Sequence, residues 1–148
     1  MNESIIKDWN NTVAPGDEIF ILGDVSFAGP KDSVGILRRL NGKKFLIAGN
    51  HDKKNLKEED FRKQFVWVKD YADISVDGNK VCLFHYPIAE FDGMHRGSVH
   101  FHGHLHGNTS GLEEYRVKDV GMDTNMCQVY NLPYLVKETL KGKIKSHH

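Results

Sequence analysis

Four short apolar segments of the chain are each followed at once by polar residues of the kinds that bind metals, and this repeated arrangement constrains the fold most. The segments are residues 19–22, 45–48, 81–84 and 99–101, and the polar residues after them are Gly23-Asp24, Gly49-Asn50-His51-Asp52, His85 and His102-Gly103-His104-Leu105-His106. Short apolar runs of this length are typical of buried β-strands. Ligands of α/β sheets collect at the carboxyl ends of the strands, so these polar residues are expected at one edge of a sheet.

The histidine tract is the densest of these groups. His104 and His106 are two residues apart and each lies beside a glycine, and in extended backbone their side chains would share one face. Such a tract can also be a solvated loop or an ordinary strand end. Because three other strand ends carry similar residues, we expect His104 and His106 to be ligands. We interpret His100 and His102 as strand residues or as residues that support the ligands.

The first third of the chain has the pattern of a β-α-β unit. Apolar residues at helical spacing predict an amphipathic helix over residues 3–13, and a second helix is expected from Pro30 to about Leu40. Strands are expected at 18–22 and 43–48. Alternating strands and helices favour a partly parallel sheet.

The remaining sequence predicts shorter elements and more antiparallel pairing. Asp77-Gly78-Asn79 is a strong hairpin sequence. The expected elements are a charged helix near 56–64, strands at 66–68, 72–77, 80–85, 98–102, 114–119 and 126–130, and a helix after Pro133. The predicted fold class is therefore α/β, with residues 1–148 forming a single domain of two mixed β-sheets packed as a sandwich and flanked by helices.

Composition narrows the functional classes only slightly. Twenty basic and twenty acidic residues cancel, so global charge gives no indication of nucleic-acid or membrane binding. The apolar runs are all shorter than the roughly 18 residues of a membrane span. Two cysteines do not make a disulfide framework, and the first residues do not resemble a signal peptide. A cytoplasmic location is the default expectation.

The polar residues at the strand ends suit a catalytic metal site. Carboxylate, carboxamide and imidazole groups are ligands for divalent transition metals, and the lack of cysteine in the group argues against a structural zinc site built on thiolates. One aspartate can bridge two cations, and a metal pair can hold a hydroxide and neutralise phosphoryl oxygens. A further histidine could protonate a leaving oxygen.

In this order, Gly23-Asp24, Gly49-Asn50-His51-Asp52, His85 and Gly103-His104-Leu105-His106 resemble the motifs of the calcineurin-like metallophosphoesterases, in particular the small bacterial and phage type. The resemblance covers roughly residues 1–125. It implies a β-sandwich flanked by helices, with a dinuclear metal site at the strand ends. The chain lacks the Asp-Arg-Gly that marks protein Ser/Thr phosphatases after the Gly-Asp motif, which favours a phosphodiester or a small phosphomonoester as substrate.

The resemblance also assigns a role to each metal ligand. Asp24 would bridge the metals, Asn50, His85 and His104 would complete the shell of the second metal, and His106 would bind the first. Manganese is the expected metal, and iron, zinc or nickel suit the same ligands. The family binds two metals, and this chain could hold one.

Two further residues receive catalytic roles from the resemblance. His51 would contact the phosphate and act as general acid, and Asp52 would orient His51. The implied reaction is hydrolysis of a phosphoester by in-line attack of a metal-bound hydroxide at phosphorus.

The chain departs from the family at its start. The family begins with a strand that ends in Asp-x-His and supplies two ligands to the first metal, and nothing of that form precedes Asp24. The chain could be a fragment with a missing or misassigned start, a natural short form with one metal, or a protein completed by another chain. The same departure leaves open an alternative function as a non-catalytic metal-binding or interaction scaffold of the same fold.

A missing central strand would leave the edges of its neighbours unpaired, and exposed strand edges promote association. We therefore predict weak solubility or formation of a homodimer. Sedimentation velocity and thermal melting test this prediction, and a monomer of high stability would contradict it.

Overall fold

The computed structural model describes residues 2–23, 30–105, 110–121 and 129–145, which form an α/β protein with one three-stranded and one four-stranded sheet. The helices are α1 (Asn2–Thr12), α2 (Pro30–Arg39), α3 (Glu59–Arg62) and α4 (Leu132–Thr139), and single 3₁₀ turns span Asn55–Lys57 and Met94–Arg96. The strands are β1 (Glu18–Ile21), β2 (Lys43–Ile47), β3 (Trp67–Lys69), β4 (Tyr71–Val76), β5 (Asn79–Phe84), β6 (Val99–His102) and β7 (Val117–Asp119).

The first sheet confirms the predicted β-α-β unit. Its strand order is β1-β2-β3 and both pairings are parallel. Phe20 lies opposite Phe45 and Leu46 lies opposite Val68. Helix α2 connects β1 to β2, so the carboxyl ends of these strands lie at the same edge of the sheet.

The second sheet has the order β4-β5-β6-β7 and is only partly antiparallel. Strands β4 and β5 form the predicted hairpin, whereas β5–β6 and β6–β7 pair in parallel. The second sheet is therefore mixed, as predicted, although only its β4–β5 pairing is antiparallel. The described strands of the first sheet all pair in parallel, so the prediction that this sheet is also mixed was wrong for them. Segment 85–98 is long enough to return the chain to the start of the sheet, which a parallel pairing requires. The parallel arrangement places the ends of β5 and β6 side by side.

A two-residue turn fixes the β4–β5 hairpin. Val76 pairs with Asn79, and between them Asp77 and Gly78 have φ values of 50° and 81°. Positive φ at both central residues defines a type I′ turn, whose twist matches that of the flanking strands. The Asp-Gly sequence is among the best for this turn, so here local chemistry sets the register of β5.

Two apolar clusters lie on opposite faces of the first sheet. Side chains alternate along a strand, so Ile19 and Ile21 pack with the helices while Phe20 and Leu22 pack towards the second sheet. The helical cluster contains Ile6, Trp9, Val13, Val34, Leu37, Leu40, Leu46, Phe61 and Phe65. The second cluster contains side chains from both sheets and from α4, namely Leu22, Ile47, Ala72, Val76, Val81, Leu83, Val99, Phe101, Leu135 and Val136. Burial on both faces makes the first sheet a rigid support for its loops.

Several predicted boundaries differ from the observed ones. The helix expected near 56–64 divides into a 3₁₀ turn and the short α3, and the strand expected at 114–119 is limited to Val117–Asp119. Most of the strand expected at 126–130 lies outside the described residues, and residues 129–130 are not in a strand. Within the described ranges, no helix has the length and apolar character needed to span a membrane.

The type I′ turn gives a direct stability prediction. A Cβ at Gly78 would contact nothing within 4 Å, so Gly78→Ala tests backbone strain alone, and we expect it to lower the free energy of unfolding by about 1–2 kcal/mol. Gly35 is exposed within α2 and has equal space, so Gly35→Ala is the matched control and should raise stability by roughly 0.5–1 kcal/mol. Urea denaturation measures both, and equal effects of the two variants would contradict the assignment of the turn.

Candidate functional site

Three of the predicted site residues come together at the ends of three strands. Asn50 follows β2, His85 follows β5 and His104 follows β6. The His85 Nε2 atom lies 3.0 Å from Asn50 Oδ1, and the ring centroids of His85 and His104 are 5.1 Å apart. The group therefore combines one residue from the first sheet with two from the second.

The orientation of His85 is set by a backbone carbonyl. His85 is 1% exposed, and its Nδ1 lies 2.8 Å from the carbonyl oxygen of Leu22. A carbonyl oxygen only accepts, so Nδ1 carries the proton and donates it. In the neutral ring, Nε2 then presents a lone pair towards Asn50. A histidine that donates one ring N–H to a carbonyl while the other nitrogen faces a ligand site is the usual arrangement of a metal-binding histidine.

The atoms in this group fit a divalent cation. Two ligand atoms about 2.1 Å from one metal and at right angles to each other lie about 3 Å apart, which is the separation of His85 Nε2 and Asn50 Oδ1. His104 Nδ1 is buried and has no hydrogen-bond partner among the described residues. Leaving such a nitrogen unsatisfied costs about 1–3 kcal/mol, and a bound cation would remove that cost.

The described part of the chain does not contain a full set of acidic and imidazole ligands. No group of three or more His, Cys, Asp or Glu side chains in that part is arranged to hold a metal ion. The predicted ligands Asp24 and His106 both lie outside the described residues. Two cavities of about 350 and 510 Å³ lie beside α4, and none of their lining residues belongs to the group of Asn50, His85 and His104.

Glycines allow the strand ends to approach one another. A Cβ on Gly23, whose φ is 89°, would lie 2.4 Å from His85 Nδ1 and 2.8 Å from the Cα of Gly49. A Cβ on Gly103 would lie 3.0 Å from the carbonyl oxygen of Leu22. A larger residue at position 23 would push His85 away from that carbonyl, whereas one at position 103 would require the Leu22 carbonyl to shift by a few tenths of an ångström. In the sequence each of these glycines directly precedes a predicted ligand, and this position is the sequence feature that indicates a close approach of the backbone.

His104 does not lie in extended backbone. Strand β6 ends at His102, and His104 has a φ of 73°, in the left-handed region that few residues other than glycine adopt. The condition under which His104 and His106 would share one face, an extended backbone, therefore does not hold at His104, because the chain turns at Gly103; His106 lies outside the described residues. Strained backbone of this kind collects at functional sites, where surrounding structure holds it in place.

The predicted catalytic residues lie in the turn after β2. His51 is exposed, whereas Asp52 is 0% exposed and its Oδ2 accepts a hydrogen bond from the Gly49 amide at 2.7 Å. The Asp52 amide donates back to the Gly49 carbonyl at 3.2 Å. Asp52 thus closes the turn that carries Asn50 and His51. An orienting contact from Asp52 to His51 stays a prediction.

His100 and His102 are buried strand residues, as the sequence predicted. His100 Nδ1–H donates to the Cys82 carbonyl at 3.0 Å, and its Nε2 accepts from the Ile88 amide at 3.0 Å. Both ring nitrogens are therefore used within the fold, and burial lowers the pKa of His100 to about 4. His102 is 1% exposed and its Nδ1 lies 2.8 Å from the carbonyl of Gly103, next to the turn at His104.

Tyr86 is part of the group although the sequence motifs do not include it. Its ring centroid lies 4.9 Å from that of His85 and 4.6 Å from that of His104. The side chain is 37% exposed. Tyr86 directly follows the predicted ligand His85 at a strand end, and this position is the sequence feature that indicates its place in the group.

The fold and the site define an α/β protein of two sheets with an imidazole and carboxamide group at the strand ends. No protein-family model matches the chain. It is 31% identical over 153 residues to the uncharacterized protein MJ1445 of Methanocaldococcus jannaschii, covering 97% of this chain and 78% of that protein. It is 30% identical over 142 residues to the Gene 66 protein of Mycobacterium phage D29, covering 78% of this chain and 71% of that protein. The chain belongs to the family of these two proteins.

A solved structure shares the fold. The protein of unknown function AQ665 from Aquifex aeolicus superposes with a TM-score of 0.72 over 93% of this chain and 84% of that chain, at 22% sequence identity. At this identity the likeness supports the fold alone.

The buried His100 predicts how stability depends on pH. Its pKa of about 4 lies below the value of about 6.5 expected in the unfolded chain, so the unfolded state binds the proton first and stability falls as the pH drops from 6.5 towards 4. One such group contributes up to about 1.4 kcal/mol per pH unit to the slope. Urea denaturation at several pH values should show a shallower slope for His100→Gln than for the wild type. Parallel slopes would contradict the prediction.

Proposed function

We propose that this protein is a metal-dependent phosphohydrolase with the calcineurin-like metallophosphoesterase fold, and that it acts on a phosphodiester or a small phosphomonoester. The observation that carries the proposal is the pair of acceptor atoms, His85 Nε2 and Asn50 Oδ1, at 3.0 Å beside the buried nitrogen of His104. The order of the sequence motifs, which resembles that of the calcineurin-like metallophosphoesterases, supports phosphoester hydrolysis as the reaction. The two-sheet architecture is compatible with it.

Asn50, His85 and His104 would hold a divalent metal, with Asp24 and His106 as the further predicted ligands. Manganese is the expected ion, and iron, zinc or nickel suit the same donors. When bound, the metal would polarise the phosphoryl oxygens and lower the pKa of water so that it becomes a nucleophile near neutral pH. One or two ions per chain are compatible with this ligand set.

The protein's own residues would position these groups and move a proton. The Leu22 carbonyl holds His85 in the tautomer that leaves Nε2 without a proton. Asp52 fixes the turn through the Gly49 amide, and His51 projects from that turn into solvent, where a substrate can reach it. A proton on the His51 ring would pass to the leaving oxygen as its bond to phosphorus breaks.

Metal content and turnover together test the proposal. After reconstitution with Mn²⁺ and desalting, elemental analysis should give at least one metal per wild-type chain, and the protein should hydrolyse an aryl phosphodiester or an aryl phosphomonoester. His51→Ala should keep its metal but lose turnover by about 10²–10⁴-fold, the usual contribution of a general acid. His85→Ala should lose both.

His95→Ala is the control, because His95 is a histidine of segment 85–98 that contacts the Lys145 carbonyl and is not one of the predicted ligands. It should keep both metal and turnover. Unchanged turnover in His51→Ala would remove His51 from the mechanism. A wild-type protein that binds metal but hydrolyses neither ester would favour the scaffold function.

A further inference from the structure

We infer that Tyr86 is a positioning residue that holds the imidazoles of His85 and His104 in the orientation needed to bind the metal. The inference rests on the proposed function, because it concerns the metal of that site. It assigns a role to a residue that the sequence motifs do not include.

The three rings form a closed triangle of edge-to-face contacts. Tyr86 meets His85 at an interplanar angle of 79° and His104 at 61°, and the two imidazoles meet each other at 72°. The centroid separations are 4.9, 4.6 and 5.1 Å in the same order. Aromatic rings prefer this geometry at such distances. Each ring therefore restricts the rotation of the other two.

His104 depends on this packing more than His85 does. The Leu22 carbonyl fixes the His85 ring, whereas His104 Nδ1 has no hydrogen-bond partner among the described residues. The backbone of His104 is also in the left-handed region, with a φ of 73°. Its ring contacts with Tyr86 at 4.6 Å and with His85 at 5.1 Å limit where this imidazole points, and the contact with Tyr86 is the shorter of the two.

Tyr86 is not a core residue. It is 37% exposed, and its further ring contact is with Phe84 at 5.7 Å. Truncation of Tyr86 therefore opens little buried volume and acts on the site rather than on the fold. Tyr71 has the same exposure of 37% and also packs on Phe84, at 6.2 Å, which makes it a matched control.

The affinity for Mn²⁺ tests the inference without relying on turnover. Isothermal titration calorimetry should show that Tyr86→Ala weakens binding about 10-fold or more, the usual cost of losing a residue that orients a metal ligand. Tyr86→Phe keeps the ring and should bind like the wild type, as should Tyr71→Ala. With Co²⁺ as the probe, the visible absorption spectrum of Tyr86→Ala should change while that of Tyr86→Phe does not.

The outcomes separate this inference from the proposed function. If the wild type binds neither Mn²⁺ nor Co²⁺, this result contradicts both the proposed function and the inference. If the wild type binds and Tyr86→Ala binds equally well, the inference alone is overturned. Should Tyr86→Ala fail to fold by circular dichroism, Tyr86→Leu replaces it, since leucine fills the space without a ring; normal metal affinity in that variant would also overturn the inference.

Discussion

A buried hydrogen bond connects the two sheets at the place where the site residues converge. His85 follows β5 of the second sheet, and its Nδ1–H donates to the carbonyl of Leu22, which follows β1 of the first sheet, at 2.8 Å. The bond is buried, so neither group can exchange its partner for water without cost. It fixes the tautomer of His85 and also the distance between the strand ends. The placement of Asn50 opposite His85 depends on both.

This approach of the strand ends is possible because side chains are absent where the chains meet. A Cβ on Gly23 would overlap with His85, and a Cβ on Gly103 would press against the Leu22 carbonyl, so the two glycines allow this carbonyl and His85 to approach each other. The left-handed backbone of His104 accompanies the turn that the chain makes directly after β6. The two glycines and the left-handed His104 therefore lie where the strand ends of the two sheets meet.

Local sequence predicted those features that depend on neighbours in the chain. Short apolar runs predicted the strands, and Asp77-Gly78 predicted the hairpin, because a type I′ turn needs the φ values that these residues tolerate. The rule that ligands lie at the carboxyl ends of strands predicted that Asn50, His85 and His104 would be close, although the structure brings them together from two sheets rather than at one edge of a single sheet. The parallel pairing of β5 with β6 and the packing of Tyr86 were not predictable in this way, because both depend on contacts between segments that no local pattern encodes.

The two-residue hairpin also determines which residue of β5 reaches the site. Side chains alternate between the two faces of a strand, so a shift of one residue in the pairing with β4 would exchange every side chain between faces. His85 would then turn away from Leu22, and a neighbouring aromatic residue would take its place. An insertion or deletion in the Asp77-Gly78 turn that shifted this register would therefore act on the site from the opposite end of the strand.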